Sequence, residues 1–418
     1  MAQFNRVRGT QDFLDMRLFN HTVQTISKHV IRYGFQEIST PILEQTQLFK
    51  RILGQQTDVV HKEMYTFDSG DGSHDTCLRP EATASVARAF VEAGIATVPW
   101  RVFSSGPMFR RERPQKGRYR QFHQFNIEAI GVPSVMDDVQ LIAMLDHLFD
   151  QVFNIDGCAL QINFLGAKED RAAHKVALME FLKVNVEQLC KRCVERATSN
   201  TLRVFDCKNP KCQTLLKDAP VVTDYLNQVS QAEWQRVQDG LHDMGVSFAH
   251  NPRLVRGLDY YAKTVFEFVS GDLGAQDSFC AGGRYDGLIA DLGSKQDYPS
   301  LGAAIGIERL MIMLEEQGAD AGQHQLPLYL ILPMSAEQET LALLLADTLR
   351  AAGLVTDVVY GKDSMKRMMR YADRVGAAYA VIVGSNEQAS GTVTLKNMRT
   401  GDNIEVKQVE LASYLLSL

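Results

Sequence analysis

Apolar side chains recur along this chain with more than one period, and the changes of period divide it. Near the start, Phe19, Val23, Ile26, Val30 and Tyr33 step by four and three residues, the apolar stripe of an amphipathic helix, and Gly34 ends it. Extended segments are predicted at 35–40, 101–105 and 121–130. The last two flank a stretch too polar for a core, which predicts a long hairpin and hence an antiparallel sheet. From 167 to 251 the sequence turns polar and helical, a helical insertion at about 168–250 in the larger domain. Residues 317–327, QGADAGQHQLP, are small and polar between apolar segments and predict a linker. Beyond them an alternation sets in. Apolar runs at 328–333, 354–360 and 378–383 are separated by a helical pattern at 336–352 and by a helix capped near Asp363 or Ser364 and stopped by Gly376. The expectation is an α+β domain on an antiparallel sheet over 1–325, then a small α/β domain with a mainly parallel sheet and helices on both faces over 326–418.

Composition sharpens this only in places. At 418 residues the chain exceeds what one core usually supports, in keeping with two domains. Seven cysteines are too few for a disulfide scaffold, and their odd number points to free thiols in a reducing compartment. The start, MAQFNRVRGTQDFLDMR, has no apolar signal segment, and no run approaches the ~18–20 apolar residues of a membrane span, so a cytoplasmic protein is expected. The net charge of −6 excludes a coat of basic surface. The charge is uneven, however: residues 110–120 carry six bases and one acid, and 362–374 five bases and two acids. Removing these +5 and +3 blocks leaves −14 on the rest, a repelling body with local positive sites, and RNA is not excluded as a partner.

The segment 109–131, FRRERPQKGRYRQFHQFNIEAIG, carries the most chemistry. A basic loop is usually a solvated hairpin tip. Here it leads into Gln124, Asn126 and Glu128, which share one strand face over ~13 Å at ~3.3 Å per residue. That face is either in solvent or lines a polar pocket with phosphate-binding guanidiniums at one end. In LVRGLDYYAKTVFE (254–267), Arg256 stands near Tyr260 and Tyr261, a pair that is either core or ligand wall. In CAGGRYDGL (280–288), glycines flank Arg284 and Tyr285; turns are their commoner use, close backbone approach the other. In LGAAIGIERL (301–310), Arg309 falls in a helix's first turn, an unfavourable place for a cation unless it serves an anion.

Taken in order, RGTQDFLD, LRPEATA (78–84), GPMFRRERPQKGRYRQFHQF, LVRGLDYY, AGGRYDGL and GAAIGIERL resemble the histidyl-tRNA synthetase family of class II aminoacyl-tRNA synthetases, bacterial type, along the whole chain. FRRERPQKGRYRQF is similar to class motif 2, GIERL to motif 3, and the strand ending at Pro41 to the dimer-forming motif 1. The C-terminal domain is similar to the family's anticodon-binding domain. The resemblance implies activation of L-histidine by Mg²⁺-bound ATP to histidyl-adenylate, followed by esterification of tRNA(His), in a homodimer. It implies catalytic roles for Arg110, at the α-phosphate, and for Arg256, beside it and the histidine carboxylate. Glu112, Arg118 and Arg309 complete the implied ATP site. Glu81, Ala82, Thr83, Gln124, Glu128, Tyr260, Tyr261 and Tyr285 complete the implied histidine site, with Glu128 and Tyr261 bracketing the imidazole nitrogens. Arg113, Gln115 and Lys116 are candidates for the tRNA acceptor end.

Two positions depart from the family's pattern: Ala82 where Gly is common, and Asp15 where Pro is common. The methyl of Ala82 matters only if φ is positive there or the substrate backbone lies against it. Cys190, Cys193, Cys207 and Cys212 approach zinc-site spacing, but the last gap is loose; thiols on unrelated elements, and no metal, are expected. Lys362, Lys366, Arg370 and Arg374 form a basic helix stripe with Arg367 beside it, opposite Met365, Met368, Met369 and Ala372. Such a stripe is often only solvated; the resemblance favours phosphate contacts through Lys366 and Arg370. Two rival readings stand. One is the family's non-catalytic paralogue, the regulatory subunit of ATP phosphoribosyltransferase, which lacks the anticodon domain and has eroded motifs. The other is an adenylating enzyme with an acceptor other than tRNA.

Overall fold

The computed structural model describes residues 4–54, 57, 59–68, 70, 75–258, 260–318, 326–361 and 364–418. The chain divides into two compact units, Met1–Ala321 and Gly322–Leu418. Most of the expected linker, together with Lys362 and Asp363, lies outside the described residues.

In the first unit, α1 (Arg17–Ile31) precedes the short strands β1 (Gln36–Glu37) and β2 (Leu43–Gln45). Next come α2 (Thr46–Ile52), β3 (Tyr65–Phe67), β4 (Thr76–Leu78) and α3 (Thr83–Glu92). The long hairpin of β5 (Trp100–Phe109) and β6 (Gln121–Ile130) leads to α4 (Val135–His147) and β7 (Cys158–Phe164). The insertion holds α5 (Lys168–Val184), α6 (Lys191–Ser199), α7 (Pro210–Leu215) and α8 (Gln228–Asp243), joined by short 3₁₀ turns. The chain then rejoins the sheet as β8 (Phe248–His250) and β9 (Ala262–Ser270). The unit ends with β10 (Ser278–Arg284), α9 (Leu288–Asp291), β11 (Ser300–Gly306) and α10 (Ile307–Glu316).

One eight-stranded sheet, in the order β1-β5-β6-β11-β10-β9-β7-β8, forms the frame. Its interior pairs are antiparallel, as expected. The two edges are not: β1 runs parallel to β5 and β8 parallel to β7. Both reach their partner through long connections, which parallel pairing requires and a tight hairpin cannot supply. The helical insertion is one of those crossovers. The sheet is therefore mixed.

Alternation along β6 sorts its side chains between two surroundings. Phe125, Ile127 and Ala129 enter the main core with Ile26 and Val30 of α1, Ile142 and Leu145 of α4 and Leu310 of α10. The opposite face meets a second cluster built from Phe49, Ala84, Ala87, Phe90, Tyr285 and Leu288. Gln124, Asn126 and Glu128 are on this second side, so the fold directs the polar row away from the main core.

The second unit contains β12 (Leu328–Pro333), α11 (Ala336–Ala351), β13 (Val355–Val358), α12 (Met365–Arg374) and β14 (Tyr379–Val383). These give the expected alternation, with β12 parallel to both β13 and β14. The sheet continues beyond it through α13 (Ser385–Ser390), β15 (Thr392–Asn397), β16 (Asn403–Lys407) and α14 (Leu411–Leu416). Strand β15 adds antiparallel to β14 and β16 antiparallel to β15, so only half of the sheet's pairings are parallel. Tyr329 and Ile331 pack with Leu345, Leu349 and Leu411 on one face, and Leu330 and Leu332 with Met368 and Ala372 on the other. Helices cover both faces, as the unbroken apolar run LYLILP requires, since it sends apolar side chains to each side of the sheet.

Candidate active site

The acids of the polar pocket are held at the start of α3. Glu81 is buried, and its carboxylate accepts the Thr83 N–H at 2.8 Å and the Ala84 N–H at 2.9 Å, satisfying two donors that the helix leaves unpaired. Burial nevertheless pushes its proton affinity up. The Thr83 hydroxyl turns inward and donates to Glu128 Oε1 at 2.6 Å. The Tyr285 hydroxyl donates to Glu128 Oε2. Burial drives the Glu128 carboxyl from its ordinary 4.5 up to about 8; the two hydroxyls favour the anion and offset part of this, while neighbouring Glu81 adds to it. Ala82 is fully buried with φ −105°, so the residue causes no backbone strain.

The space around Glu128 depends on what the adjacent strand lacks. In the register of β6 with β11, Glu128 faces Gly302, and a Cβ there would overlap the Glu128 carboxylate. The small residues of LGAAIG were the sequence signal for this approach, and only the strand register reveals it. Gly282 and Gly283 correct the turn reading in the same way: both lie inside β10. A Cβ on Gly283 would stand 2.9 Å from the Tyr261 ring. Along the row, Gln124 Oε1 and Asn126 Nδ2 are buried without a hydrogen-bond partner. Each such atom costs on the order of 1–3 kcal/mol unless a ligand or water engages it.

Aromatic rings enclose the acids. The Tyr260 ring lies 4.6 Å from Tyr261 and 5.7 Å from Tyr285, the latter edge-on. Burial raises all three phenols, so they serve as neutral donors. The Arg256 guanidinium stands 5.8 Å over the Tyr261 ring and pairs with Glu267. Glu267 closes the segment 254–267 and was not foreseen as its partner, because β9 brings it back beside Arg256 only after a turn.

The basic loop is pinned on several sides, unlike a free hairpin tip. Arg110 N–H donates to Arg120 O at 2.9 Å, Arg111 N–H to Glu63 O at 2.7 Å, and Arg120 N–H to Gly9 O at 2.7 Å. The Arg110 Nε donates to Pro80 O at 2.9 Å, and its guanidinium lies 5.3 Å from the Phe122 ring centroid. Arg118 pairs with Glu112. Arg309 of α10 reaches across to donate to Gly117 O at 2.9 Å and to Ser278 O. Burial, then the positive neighbours Arg118 and Arg110, lowers Arg309 from 12.5 to about 10. Burial also lowers Arg110 and Arg118. Three guanidiniums that depress or crowd one another form a site suited to a polyanion. Arg113, Gln115 and Lys116 are exposed on the same loop, with Lys116 held by Glu316 at 2.6 Å.

Other sequence candidates take structural places. Arg284 and Asp138 form a buried ion pair at 2.7 Å, completed by Thr264 and by the carbonyls of Val132 and Ser134. Asp15 accepts the Arg17 N–H at 2.9 Å before α1, and Arg17 holds its carboxyl down at about 2. In the second unit, Lys366, Arg367, Arg370 and Arg374 are exposed on α12, while Met368 and Ala372 are buried beneath it. The four insertion cysteines, expected on unrelated elements, converge: their Sγ atoms all lie within 4.8 Å of one another.

Residues 9–310 match the family model described as "Histidyl-tRNA synthetase", and residues 329–418 the one described as "Anticodon binding domain". The histidine–tRNA ligase of Solidesulfovibrio magneticus is 43% identical over 419 residues, spanning 99% of this chain and 98% of that one. The corresponding ligase of Neisseria meningitidis is 45% identical over 409 residues, 95% of this chain and 94% of its own. The crystal structure of apo S. aureus histidyl-tRNA synthetase matches with a TM-score of 0.82 at 32% identity, covering 99% of both chains.

Proposed function

The chain belongs to the histidyl-tRNA synthetase family, and we propose on that premise that it is an ATP-dependent histidine–tRNA ligase. It activates L-histidine with ATP to histidyl-adenylate and pyrophosphate, then transfers histidine to the 3′ end of tRNA(His). One observation supports this reading above the others: the buried, doubly hydrogen-bonded Glu128 lies on the same hairpin as the guanidiniums that crowd Arg309.

The first step brings a carboxylate to the α-phosphate of ATP, so two anions must meet. Positive charge fixed in advance is what this step needs most. Arg110 holds the α-phosphate, Arg256 lies between it and the histidine carboxylate, and Arg118 and Arg309 hold the remaining phosphates. Glu112 serves the adenine end. ATP enters as its Mg²⁺ complex, the ion arriving as part of the substrate. Glu81, Thr83 and Gln124 take the amino-acid end; the unpartnered Gln124 Oε1 is one such acceptor. Glu128 and Tyr261 engage the imidazole, and Tyr260 and Tyr285 wall it in. An isostere lacking one ring nitrogen would leave a buried group unsatisfied, which is the basis of selectivity. Arg113, Gln115 and Lys116 face the tRNA acceptor end, and Lys366 and Arg370 the tRNA phosphates on the second unit.

The protein acts as a homodimer in the cytoplasm. The apolar side chains of Phe4, Val7, Leu14 and Leu43 are exposed in the single chain and support a surface that a second copy covers. Among the described residues, no helix is long and apolar enough to cross a membrane. The test is ATP–pyrophosphate exchange across the twenty amino acids, followed by charging of total tRNA. Exchange with histidine alone and charging of one tRNA species is the expected result. Absence of exchange would indicate the regulatory paralogue, and exchange without charging a different acceptor.

A further inference from the structure

Four of the seven cysteines meet at one point in the insertion. Cys190 caps the start of α6 and Cys193 lies in its first turn, where the Cys193 N–H bonds back to Cys190 O at 2.9 Å. Cys207 closes the 3₁₀ turn that follows α6, and Cys212 lies in α7. The Cys190 and Cys207 sulfurs are 3.7 Å apart. Tetrahedral thiolates at Zn–S distances of about 2.3 Å stand roughly 3.8 Å from one another. The mutual limit of 4.8 Å leaves room for a single ion and none for inorganic sulfide. The remaining cysteines, Cys77, Cys158 and Cys280, do not join this group.

Reduced thiols could simply be core, and three of the four are buried. Two observations separate this cluster from ordinary core. Backbone donors address the sulfurs: Cys190 N–H points at Cys212 Sγ at 3.2 Å, and Asn209 N–H at Cys207 Sγ at 3.4 Å. Such donors stabilise thiolates more than thiols. The second consideration is size. Around the cysteines the buried apolar residues are Leu178, Leu182, Val204, Leu216 and Ala219, with Phe181, Leu189, Ala197, Leu202 and Phe205 half-buried against them. Apolar clusters this small are commonly stapled by disulfides or metal.

We propose that Cys190, Cys193, Cys207 and Cys212 form a tetrathiolate site for one structural zinc ion, which fastens the insertion and, through Arg203, steadies the loop carrying Arg256. Arg203 sits in the same 3₁₀ turn that Cys207 ends, and its Nη1 donates to Gly257 O at 2.9 Å. The loose C-x4-C gap that argued against zinc in the sequence is absorbed by the step from Cys207 into α7, whose start the Asn209 side chain caps. Zinc suits four soft thiolates in a closed site with no position left for substrate, which makes the role structural.

The test begins with elemental analysis of the full-length protein, purified in reducing buffer without chelator. One zinc per chain is expected, falling at least fivefold in Cys207→Ser and Cys212→Ser and unchanged in Cys77→Ser. Since the serine variants could fail to fold, the native chain is also stripped of metal and titrated with Co²⁺ alone. Intense visible bands of tetrahedral cobalt with thiolate charge-transfer absorption, saturating at one equivalent, support the site. Zinc-free protein giving no such bands overturns it, as does iron in place of zinc, or four fewer free thiols through disulfides. Hydrogen exchange reads the coupling: amides at 254–258 should exchange faster after zinc removal, and unchanged rates would refute the link to Arg256.

Discussion

Two basic regions of this protein look alike as strings of letters and differ in almost every physical respect. In the hairpin loop at 110–120, backbone hydrogen bonds tie the chain to Gly9 and Glu63, and burial depresses Arg110 and Arg118 there and Arg309, which reaches in from α10. On α12, Lys366, Arg370 and Arg374 project into solvent from a helix whose opposite side holds Met368 and Ala372 in the core. The first set is fixed before any ligand arrives and suits a reaction in which charge must already be in place. The second is free to slide along a polyanion and is screened by salt, which suits affinity for a large partner. Charge count alone cannot distinguish them; anchoring does.

The comparison breaks most visibly at Arg110. Replacing it by Ala should lower the rate of ATP–pyrophosphate exchange by about 10²–10³-fold, with little change in tRNA binding measured separately. A loss under tenfold would mean that the loop is merely solvated. Glu128→Gln should raise the histidine KM in exchange by roughly 10–100-fold and leave the ATP KM within about twofold, since a buried partner of the imidazole is lost. Lys366→Glu with Arg370→Glu should raise the tRNA KM in aminoacylation by about tenfold and flatten its salt dependence, while exchange stays at the native rate. An unchanged tRNA KM would return α12 to the status of a solvated face.

The smallest effect concerns proton linkage. Because Glu128 titrates at about 8 in the fold and at an ordinary 4.5 when unfolded, the native state binds the extra proton between those values. Stability therefore declines as pH rises through that window. Glu128→Gln removes the penalty, so its unfolding temperature in the absence of ligands should gain on the native protein between pH 5 and pH 8. A gap that does not widen with pH would show that Glu128 is ionised in the empty protein.

Periodicity made much of this legible. The stripe of α1, the β5–β6 hairpin, the polar row of β6 and the strand–helix alternation of the second unit all follow from spacing. Less visible was whatever depends on contacts far apart in sequence. Gly302 lies 174 positions beyond Glu128, and only strand register sets one against the other. Glu63 meets the basic loop across about fifty residues, and Glu267 meets Arg256 after the chain turns back, contacts that no periodicity reports. The parallel edges were missed because β1 and β8, of two and three residues, carry too few positions for a period to emerge. The cysteines show the reverse case: a spacing judged loose along the chain closes in space, since the Asn209-capped start of α7 brings Cys212 back to Cys190.

The β5–β6 hairpin has a consequence for how this gene can change length. Recognition and core alternate residue by residue along β6, with Gln124, Asn126 and Glu128 on one side and Phe125, Ile127 and Ala129 on the other. Loss of one codon just before Gln124 would move every later side chain of the strand to the wrong face, emptying the pocket and placing an acid among phenylalanines. Codons can be gained or lost at the exposed turn near Arg113 and Lys116 without that inversion. The hairpin's tip is thus where lineages can vary the loop proposed to meet the tRNA acceptor end, while the stem below it keeps its reading frame in space.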